Sequence, residues 1–174
     1  MATTAKKYDT SYKKKIDTDR DSYLLKRAPK EMIQCGGCGA FYHRRRWTLR
    51  KPNGFDFSVR TRLCYCPACR KVKDQRASGE LDLVSFPDLE KKEILRILQN
   101  EEARAREKNP LGRIMGIEQG NHGWKIQTTT EKLAQRLGRA VRKARGGKLD
   151  YKWSHNNKFV RVTWEKQETR TQSA

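Results

Sequence analysis

Four of the five cysteines in this chain fall into two pairs, Cys35-Gly36-Gly37-Cys38 and Cys66-Pro67-Ala68-Cys69, with 27 residues between Cys38 and Cys66. Two C-x-x-C pairs at this separation match tetrahedral coordination of one zinc ion by four thiolates. Each pair grips an ion only if the backbone between its sulfurs bends back on itself. Gly36, Gly37 and Gly39 permit that bend and leave amides free to donate to sulfur, while Pro67 stiffens the second turn. Four thiolates leave no open position for water or substrate, so one structural Zn2+ is expected.

Other uses of these residues fit less well. A redox C-x-x-C opens a helix after a strand, whereas Cys38 is followed by Ala40 to Trp47, which alternates like a strand. Disulfides sit poorly with the odd fifth cysteine, Cys64, and with a chain that shows no secretory leader; a reducing, cytoplasmic setting is expected. Cys64 stands two residues before Cys66, but C-x-C closes a metal knuckle less naturally than C-x-x-C, so Cys64 is read as a free thiol. His43 is read as a polar strand residue because four sulfurs already fill the shell.

The elements that must position the sulfurs are short. Phe41, His43, Arg45, Trp47 and Leu49 alternate with Tyr42, Arg44, Arg46 and Thr48, which predicts one strand. Pro52-Asn53-Gly54 predicts the turn of a hairpin returning through Phe55, Phe57 and Val59. Arg70 to Gly79 reads as a basic loop, and Leu81, Leu83, Val84 and Phe86 as the segment that closes this unit. Pro87 then opens a helix from Asp88 to about Lys108, stopped by Asn109-Pro110. Its charge is balanced, and it is expected to be a spacer. Beyond Gly112, Trp124 to Thr128 predicts a strand and Thr128-Thr129-Thr130-Glu131 a capping box. A helix to Ala144 ends at Gly146-Gly147, and two strands follow, turning at Asn156-Asn157. Trp153 and Trp164 are expected to pack in the core or on a sheet face of this module rather than to serve as base platforms.

The predicted class is thus α+β: a small four-cysteine zinc ribbon with a β-hairpin, a connecting helix and a C-terminal β-α-β-β module. The expected divisions are a basic arm (1–33), the ribbon (34–86), the connecting helix (87–111), the module (112–166) and a polar tail (167–174). With 35% hydrophobic and 34% charged residues, small units are favoured over one large core.

Charge supplies the partner class. Forty Lys and Arg against twenty Asp and Glu give a net +20. Basic residues outnumber acidic ones nine to five in residues 1–34, eleven to four in 35–86 and thirteen to four in 119–174, while 87–118 balances at seven each. Such a surplus repels itself unless a polyanion neutralises it, and nucleic acid is the natural one. A membrane surface fits less well, since no basic helix has a large exposed apolar face and no apolar run is long enough to span a bilayer. Candidate RNA contacts are Arg44, Arg45, Arg46, Arg50, Lys51, Arg60 and Arg62 around the hairpin, with Trp47 and Phe55 nearby, and Lys132, Arg136, Arg139 and Lys143 as a stripe on the C-terminal helix. Lys13, Lys14 and Lys15, interleaved with Tyr8 and Tyr12, read either as a solvated tail or as an arm that orders on RNA.

The segment Cys35-Gly36-Gly37-Cys38-Gly39 with Cys66-Pro67-Ala68-Cys69 resembles the zinc ribbons of ribosomal proteins and of the large-subunit export adaptor associated with nonsense-mediated decay. It is also similar to uncharacterised small bacterial proteins that pair a ribbon with a short α+β tail. The resemblance covers about 35 residues and implies a ribosome or ribosomal RNA partner.

Catalytic machinery is not expected. The chain has no Walker loop, no G-x-G-x-x-G and no carboxylate pair beside a histidine, so no small-molecule substrate is implied. The sequence therefore predicts a ribosome-associated RNA-binding protein, monomeric when free, acting in hibernation, assembly or translation regulation. The alternative is a DNA-binding zinc-ribbon transcription regulator.

Overall fold

In the computed structural model, residues 22–23, 32–53, 62–120, 123–154 and 159–166 are described. Among these residues the class is α+β, with three α-helices and two mixed sheets. The first sheet has four short strands, β1 (Ile33–Cys35), β2 (Phe41–His43), β3 (Arg46–Thr48) and β4 (Arg62–Cys64), in the order β3-β2-β1-β4. β1 runs antiparallel to β2 and parallel to β4. Helix α1 (Pro67–Lys73) follows, where a basic loop was expected: Pro67 occupies its first turn, with no backbone N–H to strand, and Cys66 caps it.

The continuous strand expected over 41–49 is broken at its middle. β2 and β3 pair across a two-residue turn at Arg44 and Arg45, whose φ values of 47° and 63° are both left-handed. That is the conformation a tight hairpin of this length requires, normally supplied by Asn-Gly, so the arginine pair gave no turn signal. The return expected through Phe55, Phe57 and Val59 lies outside the described residues, as does the Asn156-Asn157 turn.

The second sheet has five strands: β5 (Gly79–Val84), β6 (Ile114–Gly120), β7 (Gly123–Thr128), β8 (Lys148–Ser154) and β9 (Phe159–Glu165), in the order β6-β7-β5-β9-β8. Here the structure corrects the division at residue 86. Leu81 and Leu83 do not close the cysteine unit; they lie on the central strand of the other sheet, opposite Ile126 and Trp124 on one side and Val162 and Trp164 on the other. Gly79 makes this placement possible, since a Cβ there would stand 2.9 Å from the Ala134 Cβ and from Thr128 Oγ1. β7, the third helix, β8 and β9 do follow in the expected order, but β6 was not anticipated. Its Gly116 and Gly120 weaken the strand pattern, and its register shifts between Ile114 and Gly116.

Helix α3 (Glu131–Arg145) lies across β5, β7 and β9, with Leu133, Leu137 and Val141 buried. Its cap is Thr130, whose hydroxyl accepts the Leu133 N–H, rather than Thr128; the Thr128 hydroxyl donates within the core to backbone carbonyls at Gly79 and Thr130. Gly138 sits where a Cβ would meet Val162 at 2.8 Å, so the helix packs hard on the sheet.

Helix α2 (Lys91–Lys108), preceded by a 3-10 turn at Asp88–Glu90, is no spacer. Its buried Ile94, Leu98 and Ala105 join the core formed by Leu81, Leu83, Leu137 and Trp164, and it packs against α3. Spacings of four and seven residues put these three on one stripe, and burying them stabilises the helix more than bridging solvent would. After α2, Leu111 reaches back to the cysteine cluster, so the two sheets are joined by packing as well as by chain.

Candidate metal centre and basic surfaces

Cys35 ends β1, and the turn after it closes through Gly39 N–H to Cys35 O at 2.9 Å and Cys35 N–H to Ala40 O at 2.8 Å. Gly39 takes the left-handed conformation, φ 71°, that this reversal needs. The second pair is held by helix geometry: Cys66 is the N-cap of α1 and Cys69 lies in its first turn.

These two frames bring the sulfurs of Cys35, Cys38, Cys66 and Cys69 within 4.8 Å of one another, a cluster able to hold a metal ion. Cys35 Sγ and Cys69 Sγ are 3.6 Å apart, and Cys38 Sγ and Cys66 Sγ 3.7 Å. An ion with bonds of about 2.3 Å to four tetrahedral thiolates needs sulfurs about 3.8 Å apart, so the fit is close. Among the described residues, neither Cys64 nor His43 belongs to the cluster.

The surroundings favour deprotonated sulfur where they can. Cys35 Sγ accepts the Cys66 N–H at 3.2 Å and the Gly37 N–H at 3.4 Å, and Cys66 Sγ accepts the Cys69 N–H at 3.4 Å. Burial would raise the Cys35 thiol, but these amide donors outweigh it and bring it down to about 7. Burial pushes Cys69 up to about 11 and Cys66 higher still. Four sulfurs this close cannot all ionise without a cation among them, and a metal ion supplies one. Gly37 is required for the approach: a Cβ there would stand 2.9 Å from Cys69 Sγ.

Tyr23 packs against α1 of this unit. It is 8% exposed, its hydroxyl donates to Asp74 Oδ2 at 2.9 Å, and the Arg70 guanidinium lies 5.0 Å from its ring centre.

The predicted basic contacts sort into groups. Arg44, Arg45 and Arg46 project together at the exposed β2–β3 turn, behind which the Tyr42 and Trp47 rings meet at 5.2 Å. Arg50 and Lys51 are exposed beyond β3. Lys13, Lys14, Lys15 and Arg60 lie outside the described residues, and of Arg62 only the backbone, in β4, is described. On α3, Lys132, Arg139 and Lys143 are exposed, whereas Arg136 is held by Glu101 of α2 through Nε at 2.7 Å and Nη2 at 2.6 Å.

Residues the sequence reading passed over complete this surface. Arg104 and Asn100 of α2 face the α3 stripe across a cleft of about 610 Å3. The signal was present in the spacing of Ile97, Asn100, Glu101 and Arg104, but a charge sum over the segment hid it. Trp153 is 51% exposed near the end of edge strand β8, so of the two only Trp164 lies in the core, fully buried with its indole N–H donating to Gly146 O.

The sheet face opposite α3 is different in character. Glu118, Lys125, Asp82, Thr163 and Asp150 stand side by side across the five strands, and in the next row Gln127, Glu80, Arg161 and Lys152. Acidic residues outnumber basic ones there four to three. Arg161 Nε donates to Glu80 Oε1 at 2.7 Å, and Lys125 lies 4.0 Å from the same carboxylate. This face cancels its own charge, so the chain's surplus is carried elsewhere.

Among the described residues no helix is long and apolar enough to cross a membrane. No protein-family model, curated protein or solved structure matches this chain.

Proposed function

We propose that Cys35, Cys38, Cys66 and Cys69 hold one structural zinc ion in a zinc-ribbon unit, and that the protein binds RNA on the ribosome. The ion would supply cross-linking of two chain segments and neutralisation of buried thiolates, with no catalytic duty. Binding rather than catalysis is the activity, and the protein would act as a hibernation, assembly or translation-regulatory factor by occupying a groove in ribosomal RNA.

One observation carries this reading: Arg44, Arg45 and Arg46 are exposed together at the β2–β3 turn, and Lys132, Arg139 and Lys143 along α3, with no ion pair to a described residue, while the open sheet face is charge-balanced. A solvated, merely soluble protein has no need to segregate its charge in this way, whereas phosphate contacts need cations free of internal partners. Ribosomal RNA as the target draws on the ribbon resemblance. Sedimentation of the zinc-loaded protein with ribosomes through a gradient tests it: the protein should travel with ribosomal particles at low salt and leave them steeply as salt rises. Retention at the top of a low-salt gradient overturns the ribosomal reading, and tighter binding to duplex DNA than to structured RNA transfers it to the transcriptional alternative.

A further inference from the structure

We propose that the cleft between α2 and α3 binds the phosphodiester backbone of a single strand of RNA; this rests on the RNA-binding reading above and adds where, and in what form, the RNA is held. The walls carry Arg104 on α2 and Arg136, Arg139 and Lys143 on α3, against the single carboxylate of Glu101. Four cations facing one acid across a groove concentrate positive potential more than the same charges on a convex surface.

The walls are organised in advance. Glu101 takes two donors of Arg136 and lies 4.0 Å from Arg104, so it ties both helices together and limits how far either guanidinium can swing. Arg136 keeps its third nitrogen, Nη1, for a ligand. Arg139 and Lys143 form no ion pair with any described residue and are exposed. A pre-oriented arginine beside free cations is an arrangement suited to phosphate, since less side-chain freedom is lost on binding.

Shape selects the form of the nucleic acid. From Arg136 to Lys143 the α3 wall runs for about 10 Å, and the groove it borders with α2 encloses about 610 Å3. Such a slot admits one strand. A duplex, carrying its phosphates on a wide convex surface, would meet only the rims. The floor is Ile97, Ala140 and Ala144, small enough at the alanines to leave depth and apolar enough to lie against a ribose or base. Asn100 adds a neutral donor and acceptor within the slot.

The test is fluorescence anisotropy on the zinc-loaded full chain, with a labelled oligouridylate of about 12 nucleotides and an RNA duplex of equal length as probes. The variant R139Q/K143Q should lose at least tenfold in affinity for the single strand, and its slope of log affinity against log salt should shrink by about 1.4, the share of two phosphate contacts. R104Q should lose affinity in the same direction from the other wall. The control K148Q/K152Q removes equal charge from β8. Equal losses in the control and the cleft variant would overturn the cleft in favour of a diffuse field. Unchanged affinity in both cleft variants, with wild-type binding intact, would overturn the cleft while leaving RNA binding in place. Tighter binding of the duplex would overturn the single-strand assignment, and failure of the wild-type protein to bind either probe would overturn the RNA reading itself.

Discussion

The backbone N–H of Cys66 donates to the sulfur of Cys35 at 3.2 Å, across 31 residues of sequence. This bond joins the cap of α1 to the end of β1, so each cysteine pair helps to set the electrostatics of the other. Neither pair is complete as a local motif.

The first prediction concerns metal. The purified protein should carry about one zinc per chain by elemental analysis, with four thiols that react with a thiol reagent only after chelation. C66S should abolish stoichiometric loading, whereas C64S should retain it. Equal losses in the two variants would show that Cys64 is a ligand.

Gly37 gives a sharper geometric test. G37A would place a methyl 2.9 Å from Cys69 Sγ and 3.2 Å from the Tyr65 ring. Tyr65 can swing aside because it is half exposed, but the sulfur cannot move without leaving the cluster. Zinc affinity measured by competition with a chelator should fall about tenfold or more, with secondary structure of the second sheet unchanged by circular dichroism. G36A, at a position where a Cβ meets nothing within 4 Å, should bind zinc as the parent does.

At the β2–β3 turn, stability and binding should move in opposite directions. Arg44 and Arg45 hold left-handed conformations that cost a non-glycine residue on the order of 1 kcal/mol each. R45G should therefore raise the thermal midpoint slightly while weakening RNA binding several-fold and reducing its salt dependence. A variant that gains stability and loses no affinity would remove the turn from the binding surface.

Trp164 tests the core. It is fully buried, and its indole N–H donates to Gly146 O at 2.8 Å. W164A should destabilise the protein by about 3–5 kcal/mol in denaturant titrations. W164F, which keeps most of the volume and loses the hydrogen bond, should cost about 1–2 kcal/mol.

Asp82 should leave a mark on the pH dependence of stability. Burial, and then the neighbouring Glu80, raise its pKa above the ordinary carboxylate value, against the pull of Lys125 and Arg161. A carboxyl whose folded pKa exceeds its unfolded one favours the fold while protonated, and that contribution fades as pH rises through the folded value. Thermal midpoints of D82N compared with the parent should show the parent losing ground relative to the variant between about pH 4 and neutrality. A difference constant with pH would mean that Asp82 titrates normally.

The cysteine set and the charge surplus were legible because both are local: a C-x-x-C states its own turn, and charge needs only counting. The basic stripe of α3 was legible for the same reason, since neighbours three and four apart define a helix face. Strand partners are another matter. β5 follows α1 in sequence, yet the Gly79 carbonyl accepts from Thr128, 49 residues away, and the Glu80 carboxylate from Arg161, 81 residues away, and nothing in Gly79 to Val84 names β7 or β9.

The sequence by itself determined that four thiolates would gather and that the molecule would carry a large positive charge, because covalent spacing and ionisation do not depend on the rest of the fold. Only the tertiary structure decided that β5 belongs to the second sheet, that α2 is core rather than spacer, that the hairpin turns on two strained arginines, and that Arg104 faces Arg139 across a cleft. Each of these follows from burial of apolar surface against distant neighbours, which fixes which faces meet and so where the remaining cations are left exposed.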